Sequence, residues 1–463
     1  MAGTLAPEIQ FLGAAGTVTG SRFLLTFGHQ EILVDAGLFQ GSRRWRQGNW
    51  DDLPVPVAAL EAVLLTHAHL DHCGYLPRLF RQGYRGPIFA TENTVKLAEI
   101  VLRDSARLQV EDAEYAKKKG YSRHPDPQPL YDEADAEGAL SLFEVVDFRE
   151  RVDVAEGVTA RFSPAGHILG AATLDVSFHG RRIVFSGDLG SGGHPLLANP
   201  DPIAPGPVDA VVLESTYGDR IHPALDDTLA QVVEATLERG GTVVIPAFAV
   251  DRTEVILMAL RDAIHRGEIA GVPILVDSPM AVSAYEVYQE AIAEGTPEIR
   301  PDIVGSGALG APRLRLLRSV DESKSANRHG PCIIIAASGM ASGGRVLHHL
   351  KRLLPDEKNT VVLVGFQAEG TRGALLEQGA EFISIHGEDI AVRAEVVSID
   401  QFSVHADQDD LLSWLGTLQT DPKKIFVVHG EDSARENLAQ LLQTRLPASE
   451  VLIPGYREVC SLG

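Results

Sequence analysis

The chain has 463 residues, 44% of them hydrophobic and 22% charged, with 41 basic and 63 acidic side chains giving a net charge of −22. That length exceeds one ordinary core and predicts two or three domains. The charge argues against a polyanionic partner held by net attraction, unless local positive centres override it; Arg43, Arg44, Arg46, Lys117, Lys118, Lys119 and Arg345 are the local basic residues that could line such a path. No apolar run is long enough to cross a membrane, and Met1 to Glu8 lacks the basic end and apolar stretch of a secretory leader. The three cysteines, Cys73, Cys332 and Cys460, share no metal spacing and make no disulfide framework, so a cytoplasmic location is expected.

Taken in order, the first 200 or so residues read as short strands separated by Gly-rich turns. Ile9 to Gly13 is followed by a hairpin from Phe23–Leu25 to Ile32–Asp35, then by an apolar strand, Glu61 to Leu65. Immediately after it, Thr66-His67-Ala68-His69-Leu70-Asp71-His72 gathers three imidazoles and a carboxylate, the natural ligands of zinc, at a strand exit. Glu111 to Glu137 is expected to be helix followed by exposed loop. Arg182 to Gly187 reads as a strand with Asp188 at its end. The Pro-rich passage Asn199 to Pro207 marks a boundary or crossover.

Beyond it, strands Ala210–Leu213, Thr242–Ile245, Pro273–Val276, Cys332–Ala336 and Thr360–Val364 alternate with helical stretches such as Asp226 to Arg239, which predicts a parallel α/β layer. From about residue 390 the strand-exit pattern returns, with Arg393 to Ile399 and Lys424 to Val428 each followed by a histidine, His405 and His429. The expected organisation is one domain interrupted by another: residues 1–205 and 391–463 around an insertion over 206–390.

His167, between glycines in Pro164 to Gly170, together with Asp188, His405 and His429, matches the first cluster in chemistry. Two divalent ions fit: one on His67, His69 and His167, the other on Asp71, His72 and His429, with Asp188 bridging ions about 3.5–4 Å apart and a hydroxide between them as nucleophile. Asp35 is expected to accept a hydrogen bond from a ligand imidazole and so fix its tautomer; an ordinary turn carboxylate is the alternative.

The segment His67-Ala68-His69-Leu70-Asp71-His72 with Asp35, His167 and Asp188 resembles the metallo-β-lactamase fold, a four-layer αββα sandwich. Leu213-Glu214-Ser215-Thr216-Tyr217-Gly218, Phe402-Ser403-Val404-His405-Ala406-Asp407 and Val428-His429-Gly430-Glu431 narrow the resemblance to its β-CASP branch of nucleases. Pro246 to Arg252, Asp277 to Ala281, Ser338 to Arg345 and Gly365-Phe366-Gln367 support it. In many members Phe248-Ala249-Val250 continues with Gly or Glu and then Arg-x-Gln-Glu, where this chain has Asp251-Arg252-Thr253-Glu254-Val255; Val404 also replaces a common glycine.

The resemblance implies an α/β protein with an inserted parallel β-CASP domain, acting as a zinc-dependent ribonuclease on single-stranded RNA, chiefly as an endonuclease, in RNA processing or decay. It implies two zinc ions per chain, with manganese or iron as other metals the ligands suit. Glu214 becomes the partner of His405, and His405 the acid that protonates the leaving oxygen, with Asp188 completing the catalytic set. Ser338, Gly339 and Ser403 fall where the scissile phosphate or its neighbours would be held. His429 favours RNA over DNA, since DNA-acting relatives typically carry valine there. A homodimer is left open, and no membrane is expected. The alternatives are a small-molecule metallo-hydrolase acting on a thioester, lactam or lactone, a 5′→3′ exoribonuclease, and a scaffold protein with a decayed site.

Overall fold

The computed structural model describes residues 7–119, 126–223, 226–326, 330–365, 367 and 370–462. Chain contacts divide it into two units: one comprises residues 1–194, 198–221 and 405–463, the other 195–197 and 222–404.

The first unit is built on two seven-stranded sheets. In one, Glu8–Phe11 pairs antiparallel with Phe23–Phe27, which pairs with Gln30–Val34, and Leu60–Leu64 then continues parallel toward Ile88–Thr91 and Phe143–Val146. The hairpin and the strand before the histidine cluster therefore form where expected. In the second sheet Val158–Pro164, Ala172–Phe178 and Arg181–Phe185 run antiparallel, and Ala210–Leu213 and Lys424–Val427 add parallel to the last. Alternate side chains of both sheets meet in one apolar core. Across it Phe11 packs on Phe426 with ring centroids 5.1 Å apart, Phe23 on Phe185 at 5.9 Å and Phe27 on Phe178 at 3.8 Å.

The outer face of the second sheet is covered by helices Gln408–Leu415 and Asp432–Arg445 through Leu411, Leu415, Leu438 and Leu442. On the first sheet the long helix Glu92–Lys119 packs against Ile88–Thr91 and Phe143–Val146. The result is a four-layer αββα sandwich.

The second unit carries a six-stranded parallel sheet in the order Leu314–Leu316, Ile274–Val276, Ile333–Ala336, Val243–Pro246, Thr360–Val364 and Glu395–Ile399. Its strands are nearly continuous Val and Ile runs, as expected when both faces are covered.

Three sequence expectations need correction. Ala210–Leu213 does not open the parallel layer of the second unit, because it hydrogen-bonds between Arg181–Phe185 and Lys424–Val427 in the first. Glu395–Ile399 does not return to the first unit, because it pairs in full register with Thr360–Val364; His405 accordingly ends no strand and sits in an isolated bridge with Gly190. The helix expected from Glu111 spans Glu92–Lys119, and a second helix, Glu133–Leu140, begins inside the stretch expected to be loop, started by a capping box on Asp132. Residues 120–125 of that stretch, and Phe366 of the Gly365-Phe366-Gln367 motif, lie outside the described residues.

Candidate metal centre

The site gathers at strand exits of the first unit, where the rigid sheets fix the loops that follow. Leu60–Leu64 leads through Leu65 and Thr66 to His67, Ala68 and the extended His69, and the His67 and His69 rings reach the same ligand group. A four-residue helical turn, Leu70–Cys73, then brings Asp71 and His72 round. Asp35 follows strand Gln30–Val34 with φ 58°, and His429 follows Lys424–Val427 with φ 49°. Both are non-glycine residues in the left-handed region, a conformation that costs energy and gathers at functional sites. His167 follows Gly166, whose φ is 68° and where a Cβ would stand 2.7 Å from the Ala198 carbonyl oxygen.

Two ligand groups result. His67, His69, His167 and Asp188 form one, and Asp71, His72 and His429 the other, each offering atoms within 4.8 Å of one another. In the first, His69 Nδ1 lies 3.2 Å from His167 Nε2, and Asp188 Oδ2 lies 3.6 Å from His67 Nε2 and 3.7 Å from His167 Nε2. In the second, His72 Nε2 lies 3.2 Å from His429 Nε2, which lies 3.5 Å from Asp71 Oδ2. The other Asp188 oxygen, Oδ1, is 3.3 Å from His72 Nε2. Tetrahedral zinc with bonds of about 2.0–2.1 Å places its ligand atoms about 3.3–3.4 Å apart. The observed separations bracket that edge, and Asp188 turns one oxygen toward each group. His67 Nε2 and Asp188 Oδ1 are buried and find no hydrogen-bond partner among the described residues. Such atoms are costly unless a cation takes them, so the donor set fits divalent metal.

The surrounding hydrogen bonds select which nitrogen faces the ion. Asp35 Oδ2 sits 2.7 Å from His72 Nδ1, leaving Nε2 directed inward, and Asp35 also accepts from the Thr66 amide at 2.8 Å and the Thr66 hydroxyl at 2.9 and 3.0 Å. Burial holds the His67 imidazole well below its usual range and His69 down to about 4, so both are neutral and able to ligate. For His72 and His429 burial acts the same way but is outweighed: Asp188 and Asp35 carry His72 well above its usual value, and Asp188 and Asp71 raise His429. Burial would raise Asp188, yet His429, His72 and His67 keep it well below the usual carboxylate range. These carboxylates therefore hold protons on His72 and His429 at the positions a cation would take.

His405 stands beside the first group, 18% exposed, with its ring centroid 4.4 Å from that of His167. Its Nδ1 is 3.6 Å from Glu214 Oε2 and 3.8 Å from Asp188 Oδ2, both longer than a hydrogen bond. Glu214 also lies within reach of Asp188 and His429, but its oxygens are engaged: Oε1 accepts from the Leu189 amide at 2.6 Å and Oε2 from the Thr216 hydroxyl at 2.7 Å. Ser338, Gly339 and Ser403 belong to the second unit. There the Ser338 hydroxyl accepts from the Ser342 amide at 3.1 Å, and a Cβ on Gly339 would come within 3.0 Å of Phe248.

Sequence reasoning missed Thr66 and Thr216. Thr66 ties Asp35 to the His67 ring, with its hydroxyl 3.1 Å from His67 Nδ1, and Thr216 joins Glu214 to His429, 3.2 Å from its Nδ1. The available signal was position, since each adjoins a motif residue.

Fold and site together define a metallo-hydrolase whose His and Asp clusters are compatible with a metal site. A profile for the metallo-beta-lactamase superfamily matches residues 16–239, one for the Beta-Casp domain residues 253–376, and one for the Zn-dependent metallo-hydrolase RNA specificity domain residues 389–454. The chain is 38% identical to Ribonuclease TTHA0252 of Thermus thermophilus over 94% of its own length and 95% of that protein. It is 34% identical to an RNase J-like protein of Methanocaldococcus jannaschii, over 81% of this chain and 82% of that one. It is 30% identical to the Transcription termination factor FttA of the same organism, over 96% and 70%. A crystal structure of an Enterococcus faecalis protein of unknown function shares the fold, with TM-score 0.55, 12% identity, and coverage of 99% of this chain and 100% of that one. The chain belongs to the β-CASP branch of the metallo-β-lactamase superfamily.

Proposed function

We propose that this protein is a two-zinc ribonuclease that hydrolyses phosphodiester bonds within single-stranded RNA. The observation that carries the reading is Asp188 set between two histidine-rich ligand groups with His405 and Glu214 beside it. The match to an RNA specificity domain and the ribonucleases among the relatives support RNA as the substrate. Divalent ions bound there supply an activated water and positive charge for the phosphate. The chain's own residues do the rest. Asp35, through His72, and Thr66, through His67, orient ligand rings. Glu214 and Asp188 face Nδ1 of His405, which favours the proton on that atom in the tautomer and leaves Nε2 as the atom assigned to the leaving oxygen. Ser338, Gly339 and Ser403 are assigned to contacts with substrate phosphates.

Uniformly labelled single-stranded RNA incubated with zinc-loaded protein, resolved on a denaturing gel with His405→Ala alongside, tests this. Discrete internal fragments that disappear in the variant are the expected result. Mononucleotides would move the assignment to an exonuclease, and intact RNA would refute the ribonuclease reading.

A further inference from the structure

The loop that leaves Asp35 carries an aromatic and basic surface that the chemistry above does not use. It runs beside the metal ligands: the Ala36 amide donates to the His72 carbonyl at 2.7 Å and the Leu38 amide to the Leu70 carbonyl at 3.0 Å, and a Cβ on Gly37 would strike the Asp71 carbonyl oxygen. Phe39 comes next. Asn49 clamps it, accepting from its amide at 2.8 Å and donating to its carbonyl at 2.8 Å, while buried Arg22 donates to the Gly37 carbonyl at 2.8 Å and to Asn49 at 3.0 Å. The loop is thus a fixed scaffold tied to the Leu70–Cys73 turn that carries Asp71 and His72.

On that scaffold Trp45 stacks on Phe39, with centroids 5.3 Å apart and planes 19° from parallel, and the Tyr456 ring stands edge-on 5.7 Å away. The Arg44 guanidinium lies over Trp45 at 5.3 Å. Trp50, on the same loop and 51% exposed, carries Arg78 over its ring at 5.8 Å. Arg43, Arg44 and Arg46 are exposed, and among the described residues none of the ion pairs includes them. Elsewhere Arg81, Arg103, Arg107 and Arg149 each hold a carboxylate within 2.7 Å. These three exposed guanidiniums, close together in sequence around Trp45, make a local basic patch on a chain of charge −22. Their charge complements a phosphate backbone, and rigid aromatic faces paired with arginine are what unstacked bases pack against.

We propose that Trp45, seated on Phe39 and flanked by Arg43, Arg44 and Arg46, is a stacking platform for a single-stranded RNA running out of the metal centre. The proposal rests on the ribonuclease reading for the identity of its ligand and deepens it. It also answers how an acidic chain holds a polyanion: attraction is confined to a patch beside the ligands.

The test is fluorescence anisotropy of a labelled 20-nucleotide polyuridine RNA, titrated with zinc-loaded protein carrying His405→Ala so that the RNA stays whole, over a series of salt concentrations. Stacking on one aromatic is worth about fivefold or more in affinity. Trp45→Leu should weaken binding by at least about fivefold, and Trp45→Phe should restore it to within about twofold. A filler role would instead be met equally by leucine. The exposed triple variant Arg43→Gln, Arg44→Gln, Arg46→Gln should lower the slope of log affinity against log salt by about 2, since each phosphate neutralised on a single strand contributes about 0.7. Wild-type affinity and slope in the Leu and triple variants would overturn the platform, as would Trp45-dependent binding to phosphatidylglycerol vesicles with none to RNA. If RNA binds with this dependence but is never cleaved by the protein with His405 intact, the ribonuclease reading fails and the platform stands.

Discussion

Asp35 is the residue whose replacement most sharply separates geometry from mere presence of ligands, because it touches no metal position itself. In Asp35→Asn the backbone is undisturbed, since asparagine is among the residues that tolerate a φ of 58°. The side chain, however, has one acceptor where two are needed. Asp35 serves both the Thr66 amide and hydroxyl and His72 Nδ1. If the amide oxygen turns to Thr66, the NH2 group confronts His72 Nδ1 and drives its proton to Nε2, the atom that must face the ion. If the oxygen turns to His72, the buried Thr66 N–H meets another donor. One unmade buried hydrogen bond costs about 1–3 kcal/mol, or roughly 5- to 150-fold, and replacing such an orienting carboxylate typically lowers metal affinity about 10- to 100-fold. Zinc competition against a chromophoric chelator should therefore show a loss of about 10- to 100-fold at the site that includes His72. Asp35→Ala should lose at least as much, because it removes every acceptor that fixes the His72 tautomer and the Thr66 groups. An Asn variant that binds zinc within about twofold of the parent would refute the assignment of His72 orientation to Asp35.

Other expectations are as direct. His69→Ala should lose zinc and RNA cleavage together, whereas His405→Ala should lose cleavage, by about 100-fold or more for a general acid, with zinc content unchanged by mass spectrometry; reversal of that pattern would exchange their roles. The protons that carboxylates hold on His72 and His429 must leave when metal binds. Zinc affinity should thus fall as pH falls, and calorimetric heats at pH 7 should differ between buffers of different ionisation enthalpy; equal heats would contradict it. Glu254 is buried with both carboxyl oxygens lacking partners among the described residues, and burial, with Asp251, raises it well above its ordinary 4.5. A raised acid binds its proton in the folded state while the unfolded chain has released it, so stability declines as pH rises above about 4.5. Glu254→Gln should remove that decline, leaving the variant more stable than the parent at pH 7 to 8 in thermal melts, and no gain would refute it. Phe426→Ala, which opens the core between the sheets against Phe11, should cost about 3–5 kcal/mol in urea unfolding; a loss below 1 kcal/mol would place the core elsewhere.

The candidate ligands, and the Asp35 carboxylate behind them, were legible because chemistry was concentrated: His67 to His72 lie in one short segment, and Asp35, Asp188 and His429 each follow an apolar strand that reads plainly from Val, Ile and Leu. The grouping expected from the sequence, His67, His69 and His167 against Asp71, His72 and His429, matches two of the side-chain groups whose donor atoms converge in space. What the sequence hid was partnership between distant strands. Ala210–Leu213 and Glu395–Ile399 are short apolar or alternating segments whose sheet is chosen by register with neighbours hundreds of positions away in one case and tens in the other. Position after a Pro-rich stretch or before a histidine does not decide that. Thr66 and Thr216 were overlooked for a different reason. A hydroxyl is chemically ordinary, and its role exists only once Asp35, His67, Glu214 and His429 have converged on it.

The most direct measurement is a zinc titration of metal-free protein in which native mass and cleavage of single-stranded RNA are read on the same samples. Activity that rises with loading and reaches its plateau at two zinc ions per chain is the predicted result. Full cleavage by chains holding no metal, or no cleavage by chains holding two, would contradict the proposed function.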